Sequence, residues 1–374
     1  MSLPDRGYSH SMSRSASPPR RGRPARLIGL AVVAALLLSG CGMLTPVTEQ
    51  GRDIRDLYNV LFVAAAVVFL LVEGAIVFAV LRYRRRDDEL PPQFHGNNLL
   101  EVAWTVVPFL IVATLFVLTW GVLNRVDARA DNPRVTVNVV AFQWQWSFTY
   151  AGEKVPAAEQ GQPAEDLTIK GTIAKPPEIY LPVGEPIRFT TQARDVIHSF
   201  YVPEFLFKRD AFPDHENSFA LTITKPGVYR GQCAEYCGLA HQAMRFTIHA
   251  VGPAEYRAWV EKSKRQQASG CPADPDPTRI AAKDIAFDKQ CLSGPAGRPF
   301  EITFDNQESV PHNVAFFRGR DAGAPRILPQ ADTPLFPGPK AATYRLPDLR
   351  PGSYFFHCDA HPSSMNGTLQ IRRR

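Results

Sequence analysis

Two apolar runs decide most of what this chain can become. Residues 57–81 and 99–123 are 25 residues each and almost wholly Val, Leu, Phe, Ala, Ile and Trp, and a helix of that length crosses the roughly 30 Å hydrocarbon layer of a bilayer with some tilt. Backbone groups in lipid must be satisfied within their own segment, so the runs predict a helical hairpin. Between them stands Arg82-Tyr83-Arg84-Arg85-Arg86, followed by Asp87, Asp88 and Glu89. Arginine clusters at helix ends stay cytoplasmic, which places this loop inside and the flanking segments outside. Two acids belong to the runs. Glu73 sits in the inner half of the first, where an inter-helix hydrogen bond to another subunit is expected. Glu101 opens the second, a position at which a helix N-terminus favours an acid.

The formal charge of +6 does not describe the mature chain. Arg6, Arg14, Arg20, Arg21, Arg23 and Arg26 against Asp5 give residues 1–40 a net +5, leaving the remainder near +1. Nothing there argues for nucleic acid. This charged stretch leads into an apolar run at 27–38 and then Ser39-Gly40-Cys41, the plan of a secretory signal. The run is too short to span a bilayer. Leu38-Ser39-Gly40-Cys41 resembles a bacterial lipobox, so residues 1–40 are expected to be a lipoprotein-type signal and Cys41 its lipidated cysteine. A third membrane helix with an incidental cysteine is the alternative.

Beyond residue 134 the texture becomes short alternating strands at 135–142, 187–191, 218–224 and 245–251, punctuated by Pro and Gly. That pattern predicts an antiparallel sandwich or barrel with Greek-key wiring. Phe142, Trp144 and Trp146 alternate with Gln143 and Gln145, which puts three rings on one face of a strand. A polar, Pro-rich tract follows, and residues 279–374 repeat the β texture. The expected fold class is therefore membrane-anchored all-β, with a transmembrane hairpin at 41–124, a β-sandwich at 125–262, a linker at 263–277 and a second β-sandwich at 278–374.

Chemistry concentrates in residues 233–244, C-A-E-Y-C-G-L-A-H-Q-A-M. Cys233, Cys237, His241 and Met244 bring two thiols, an imidazole and a thioether into one loop, and His198 in D-V-I-H-S-F offers a remote imidazole. Soft sulfur with imidazole selects copper or iron–sulfur chemistry, and a thioether suits copper better than zinc. A disulfide or a plain loop is the bland alternative. Near the C-terminus His312, Cys358, His361 and Met365 form the His₂Cys-plus-axial-Met set of blue copper; His357, beside the cysteine, should point away. Cys271 and Cys291 have no ligand partners at useful spacing, which in an exported domain favours a disulfide over buried free thiols. His215 and His249 lack ligand partners in sequence.

Four stretches resemble subunit II of the haem–copper oxidases in its CuA form: L-E-V-A-W-T-V-V-P from Leu100, F-Q-W-Q-W from Phe142, D-V-I-H-S-F from Asp195 and the cysteine loop from Gly231. The resemblance covers residues 45–262. It implies that Cys233 and Cys237 bridge two copper ions, that His198 and His241 each cap one, and that Met244 and the Glu235 carbonyl are weak axial ligands. It further implies a magnesium ion at the Glu235 carboxylate shared with subunit I, electron uptake through Trp144 as a surface aromatic, Trp146 as a core residue, and Glu101 as the entrance of a proton pathway. The C-terminal segment resembles the plastocyanin-like cupredoxins in F-H-C-D-A-H-P-x-x-M and P-H-N-V.

The implied protein passes electrons from a cytochrome c or copper-protein donor, through a fused type 1 copper, to the CuA centre and then to subunit I, with subunit III and membrane lipid as further partners. Both β domains would lie on the extracytoplasmic side of a bacterial cytoplasmic membrane. The family's donor-docking carboxylates are thin here: Glu153 and Asp195 stand almost alone near the aromatic tract. No C-x-x-C-H is present for covalent haem. A nitric-oxide reductase subunit, or a copper-storage role for the C-terminal domain, stays open on sequence; a quinol oxidase subunit would lack these copper ligands.

Overall fold

Thr48 starts the first helix by accepting a hydrogen bond from the Gly51 N–H at 3.0 Å, the usual N-cap device. The computed structural model describes residues 45–84, 96–128, 130, 132–156, 164–271 and 274–373. The expected signal segment, Cys41 and most of the charged loop after Arg84 lie outside them. Helix α1 spans Glu49–Arg82 and α2 spans Asn98–Val126. Asn97 caps α2 through the Leu99 and Leu100 N–H groups, with Glu101 in its first turn and Arg125 in its last, matching the helix dipole. Both helices are long and apolar enough to cross a membrane. The polar end of α1 grips the β-structure, Gln50 Oε1 accepting from Thr222 N at 3.1 Å, and Arg125 of α2 ties to Asp53 of α1 at 3.1 Å.

Ten strands make the first sandwich. One sheet runs in the order β3 (Glu165–Lys170), β2 (Gln145–Val155), β1 (Val135–Phe142), β5 (Pro186–Ala193), β8 (Asn217–Thr222). The other runs β4 (Glu178–Pro182), β10 (Arg245–Val251), β9 (Gly227–Cys233), β6 (His198–Val202), β7 (Phe207–Ala211). Val135, Val137, Val139 and Ala141 alternate inward along β1, and Phe148, Phe189, Phe200, Phe219 and Phe246 fill the space between the sheets around Trp146. The sheets are mixed rather than purely antiparallel. The β1–β5 and β4–β10 pairs are parallel, because the chain crosses between the two sheets before pairing.

The second sandwich has one sheet ordered β12 (Ala286–Phe287), β11 (Arg279–Lys283), β14 (Phe300–Asn306), β16 (Lys340–Leu346). Its partner is ordered β13 (Cys291–Pro295), β18 (Asn366–Arg372), β17 (Gly352–His357), β15 (Ala315–Phe317). Phe304, Phe316, Phe356 and Leu369 form its core.

Two expectations are corrected. The tract F-Q-W-Q-W is not one strand: β1 ends at Phe142, β2 begins at Gln145, and Gln143-Trp144 is the turn between them. The linker expected at 263–277 begins as the end of a helix, α3 (Pro253–Ala268). Pro253 stands in its first turn, and Tyr256, Val260 and Ser263 recur on one buried face, while Lys264 pairs with Glu153. Cys271 and Cys291 are joined by a disulfide that fixes the chain just past this helix to β13. The two sandwiches touch. Ile285 packs against both cores, and Arg320 pairs with Glu165 at 2.7 Å.

Candidate metal centres

The first centre sits where three strand ends meet. His198 opens β6, Cys233 closes β9, and Phe200 pairs with Cys233 across them. The chain then loops through Cys237, makes a short 3₁₀ turn at His241–Ala243, and returns into β10 after Met244. A hydrogen bond from Cys233 N to Met244 O at 3.0 Å closes that loop. Gly238 has φ +113° and lies with its Cβ direction 3.1 Å from both Gln143 and Trp144, so only glycine fits. Beneath the loop, Trp146 holds the scaffold still, edge-on to His198, Phe200 and Phe246, with its Nε1 donating to Met244 O at 3.4 Å.

The six sequence-expected positions come together. The Cys233 and Cys237 sulfurs are 3.9 Å apart, far beyond a disulfide bond. His198 Nδ1 is 3.8 Å and the Glu235 carbonyl 3.2 Å from the Cys233 sulfur. His241 Nδ1 is 3.5 Å and Met244 Sδ 3.9 Å from the Cys237 sulfur. Asp195 Oδ1 lies 2.8 Å from His198 Nε2, and Asp195 also accepts from the N–H groups of Gln143 and Val196. A carboxylate only accepts, so Nε2 carries the proton and the Nδ1 lone pair faces the sulfurs.

Electrostatics agree with a cation site. The hydrogen bond from the Cys237 thiol holds Cys233 down to about 3, against burial that opposes ionisation, with His198 helping. The same shared proton, and then burial, push Cys237 up. Burial works against the His198 cation, but Asp195 and Cys233 outweigh it and raise its pKa. One thiolate, one thiol and oriented imidazoles crowded in a buried loop are a donor set that a soft metal ion would complete.

In the second centre His312 Nδ1 lies 3.5 Å and His361 Nδ1 3.9 Å from the Cys358 sulfur, and the two Nδ1 atoms are 3.2 Å apart. Glu308 Oε1 accepts from His312 Nε2 at 2.8 Å, leaving the His312 Nδ1 lone pair turned inward. Burial lowers the pKa of both imidazoles and raises that of the Cys358 thiol. Two neutral imidazoles facing each other with a thiol between them invite a cation. Met365 is fully buried beside them, its carbonyl 2.8 Å from Cys358 N. His357 turns away to Asp359 at 3.1 Å. Asn313 braces the loop by donating to Asp359 and accepting from Asp359 N at 2.8 Å.

Of the other expected residues, Trp144 departs from expectation. Trp144 is not a surface aromatic: it is 9% exposed, because its Nε1 donates to the Cys237 carbonyl at 3.0 Å, in company with Gln143 Nε2 at 2.8 Å. Trp146 is wholly buried. The Glu235 carboxylate meets Lys208 Nζ at 3.1 Å, with Asp210 on the same ammonium, so an ammonium already counters it and a magnesium ion there would need further ligands from outside the chain. Glu101 is exposed in the first turn of α2. His249 stacks on Tyr180 and pairs with Glu178. Sequence reading missed Glu308 altogether, and also the inward role of Asp195. The available signal was a carboxylate three or four residues before each buried histidine.

Two cupredoxin-like sandwiches on an apolar helical hairpin, each carrying a sulfur–imidazole cluster, define a membrane-anchored cupredoxin protein. Family comparison agrees, matching residues 39–120 to the cytochrome c oxidase subunit II transmembrane domain, 135–251 to its periplasmic domain and 256–371 to a cupredoxin-like domain. A probable cytochrome c oxidase subunit 2 of Streptomyces avermitilis is 36% identical over 70% of this chain and 95% of its own length. One from Nocardia farcinica is 33% identical over 66% of this chain and 83% of its own. The periplasmic domain of cytochrome oxidase subunit II of Bradyrhizobium japonicum aligns at 28% identity and a TM-score of 0.30, over 37% of this chain and 99% of that one. The chain belongs to the cytochrome c oxidase subunit II family, a component of an oxidoreductase complex that includes subunit I.

Proposed function

We propose that this subunit collects electrons on the extracytoplasmic side of a bacterial cytoplasmic membrane. It passes them through the second centre to the first, and from there to the haem–copper site of subunit I, where oxygen is reduced to water with proton translocation. The observation that carries this reading is the convergence of His198, Cys233, Glu235, Cys237, His241 and Met244 on one unbonded sulfur pair. Those residues would hold a dinuclear CuA site, and His312, Cys358, His361 and Met365 a type 1 copper. Copper bound there supplies reversible one-electron chemistry.

The chain's own residues do the rest. Asp195 and Glu308 fix imidazole orientation, and Trp146 and the strand ends keep the donor atoms from moving between oxidation states, which lowers the cost of each transfer. Tyr236 and Leu239, flanking Cys237, are 76% and 86% exposed, an apolar surface suited to the partner subunit. Glu101, at the start of α2, is assigned the proton-pathway entrance, and Trp144 the path into the first centre. A lipid on Cys41 and a magnesium ion between Glu235 and subunit I complete the proposal, with subunit III as a further partner and a cytochrome c or copper protein as donor.

The test is Cys358→Ser in the assembled oxidase. Oxygen uptake driven by an outside donor should slow, while electrons injected directly into the first centre still pass. Unchanged turnover with every donor would overturn the relay.

A further inference from the structure

Along β2 the polar residues Gln145 and Ser147 point away from the core residues Trp146 and Phe148, yet they are only 4% and 3% exposed. An outward polar face that is dry has something lying on it. Gln145 Nε2 donates to the carbonyl of Ser364 at 3.1 Å, and Ser364 is itself 7% exposed. Ser364 lies between His361 and Met365, two of the positions assigned to the second centre, and is covalently joined to Met365. On the other side, Gln145 follows Trp144 in the chain, and Trp144 Nε1 donates to the carbonyl of Cys237. Covalent bonds and two hydrogen bonds therefore connect one ligand loop to the other without a gap.

We infer that the Gln145–Ser364 contact is the seam across which the two centres exchange electrons. Gln145 is a positioning residue that holds the second ligand loop against the Trp144 turn. This rests on the relay reading above and names its path. Copper held by His312, Cys358, His361 and Met365 would give up one electron, and copper held by Cys233 and Cys237 would take it up, with no atom or proton transferred. An outside one-electron donor then restores the Cys358 centre. Orbital coupling through bonded atoms decays more slowly than through space, so a bonded seam favours this route over one that must cross an unbonded gap.

Independent contacts hold the same arrangement. Ile285, at φ +54°, packs against both cores, and its N–H donates to Glu308 Oε1, the carboxylate that orients His312. Arg320 ties to Glu165 elsewhere in the interface. The same seam explains the scarcity of docking acids near the turn. Asp195 is spent on His198 and Glu153 on Lys264, and the outward side of Gln145, next to the turn, is covered by the second domain.

Gln145→Ala and Gln145→Glu test the seam in the full-length, copper-loaded oxidase. Loss of one hydrogen bond to a carbonyl should slow transfer from the second centre to the first by about fivefold, and more for Glu, whose carboxylate repels the Ser364 carbonyl. Electrons injected directly at the first centre should cross at the unaltered rate, and both centres should keep their optical spectra. In the metal-free full chain the same variants should raise hydroxyl-radical labelling of Trp144. Arg320→Glu, at an exposed position that does not threaten folding, should loosen the interface in the same direction. Wild-type inter-centre rates in both Gln145 variants, with Trp144 labelling unchanged, would overturn the seam. A wild-type chain that shows no transfer at all from the second centre would instead remove the relay beneath it.

Discussion

His198 and His312 have no exposed surface, and each puts one ring nitrogen on a carboxylate and turns the other toward a cysteine sulfur. The carboxylate fixes the tautomer and makes the inward nitrogen a better donor. Asp195→Asn is therefore expected to weaken copper binding at the first centre by about 10–100-fold, measured by competition with a chelator; an unaltered affinity would deny Asp195 its orienting role. Packing sets a second constraint nearby. A Cβ at Gly231 would fall 2.0 Å from the Phe246 ring, which itself packs on Trp146. Gly231→Ala should cost about 1–3 kcal/mol in denaturant unfolding. At this scale the sulfur and imidazole donors were legible because their spacing within one loop is rare. The orienting carboxylates were not, since Asp195 looks in sequence like a surface acid and Glu308 like an ordinary strand-end residue.

Among the elements, α3 was the least legible. Its charged surface suggests a linker, although Pro253 and the buried series Tyr256, Val260 and Ser263 carry a helical period. The helix docks beside β2 and β4, with Trp259 stacked on Tyr180 and Lys264 between Glu153 and Glu261. Burial disfavours the Lys264 cation, but the two carboxylates outweigh it and raise its pKa. A raised lysine pKa contributes stability that is complete below the unfolded value of about 10.4 and is lost as pH rises through the higher folded value. Protection of the α3 amides, corrected for the intrinsic base catalysis of exchange, should fall in that alkaline window. Lys264→Met should reduce the fall, the buried Tyr256 and Tyr150 hydroxyls, whose pKa values burial raises, supplying the remainder. The disulfide past α3 is a second clamp. Replacing Cys271 and Cys291 together by serine is expected to cost about 3 kcal/mol, read as a lower unfolding midpoint. The F-Q-W-Q-W tract was misread because alternation predicts a strand, whereas the register pairs Phe142 with Gln145 across a turn.

For the whole molecule, the order of parts was plain in the sequence: two apolar runs, then two stretches of β texture, each with its own ligand set. What sequence could not supply was the meeting of the two sandwiches. That meeting depends on which polar residues are covered, and Gln145 and Ser147 look like any solvent-facing pair. On the proposed relay, the contact would convert a second-order encounter into an intramolecular one, whose rate depends on tethered geometry rather than donor concentration. Because the chain tethers the two sandwiches and the Gln145–Ser364 seam is a neutral hydrogen bond, transfer between the centres should fall only modestly with ionic strength, through screening of the exposed Arg320–Glu165 pair, unlike docking steered wholly by exposed charge. Flash-induced kinetics at low and high salt check this; a steep salt dependence would point to a charge-steered encounter.

Electron paramagnetic resonance of the purified, copper-loaded, half-oxidised chain, with the second centre emptied by replacing His312, Cys358 and His361 together, tests whether Cys233 and Cys237 hold a copper pair. Hyperfine structure from an unpaired spin shared equally by two copper nuclei is the predicted result. A spectrum in which the spin resides on a single copper would contradict it.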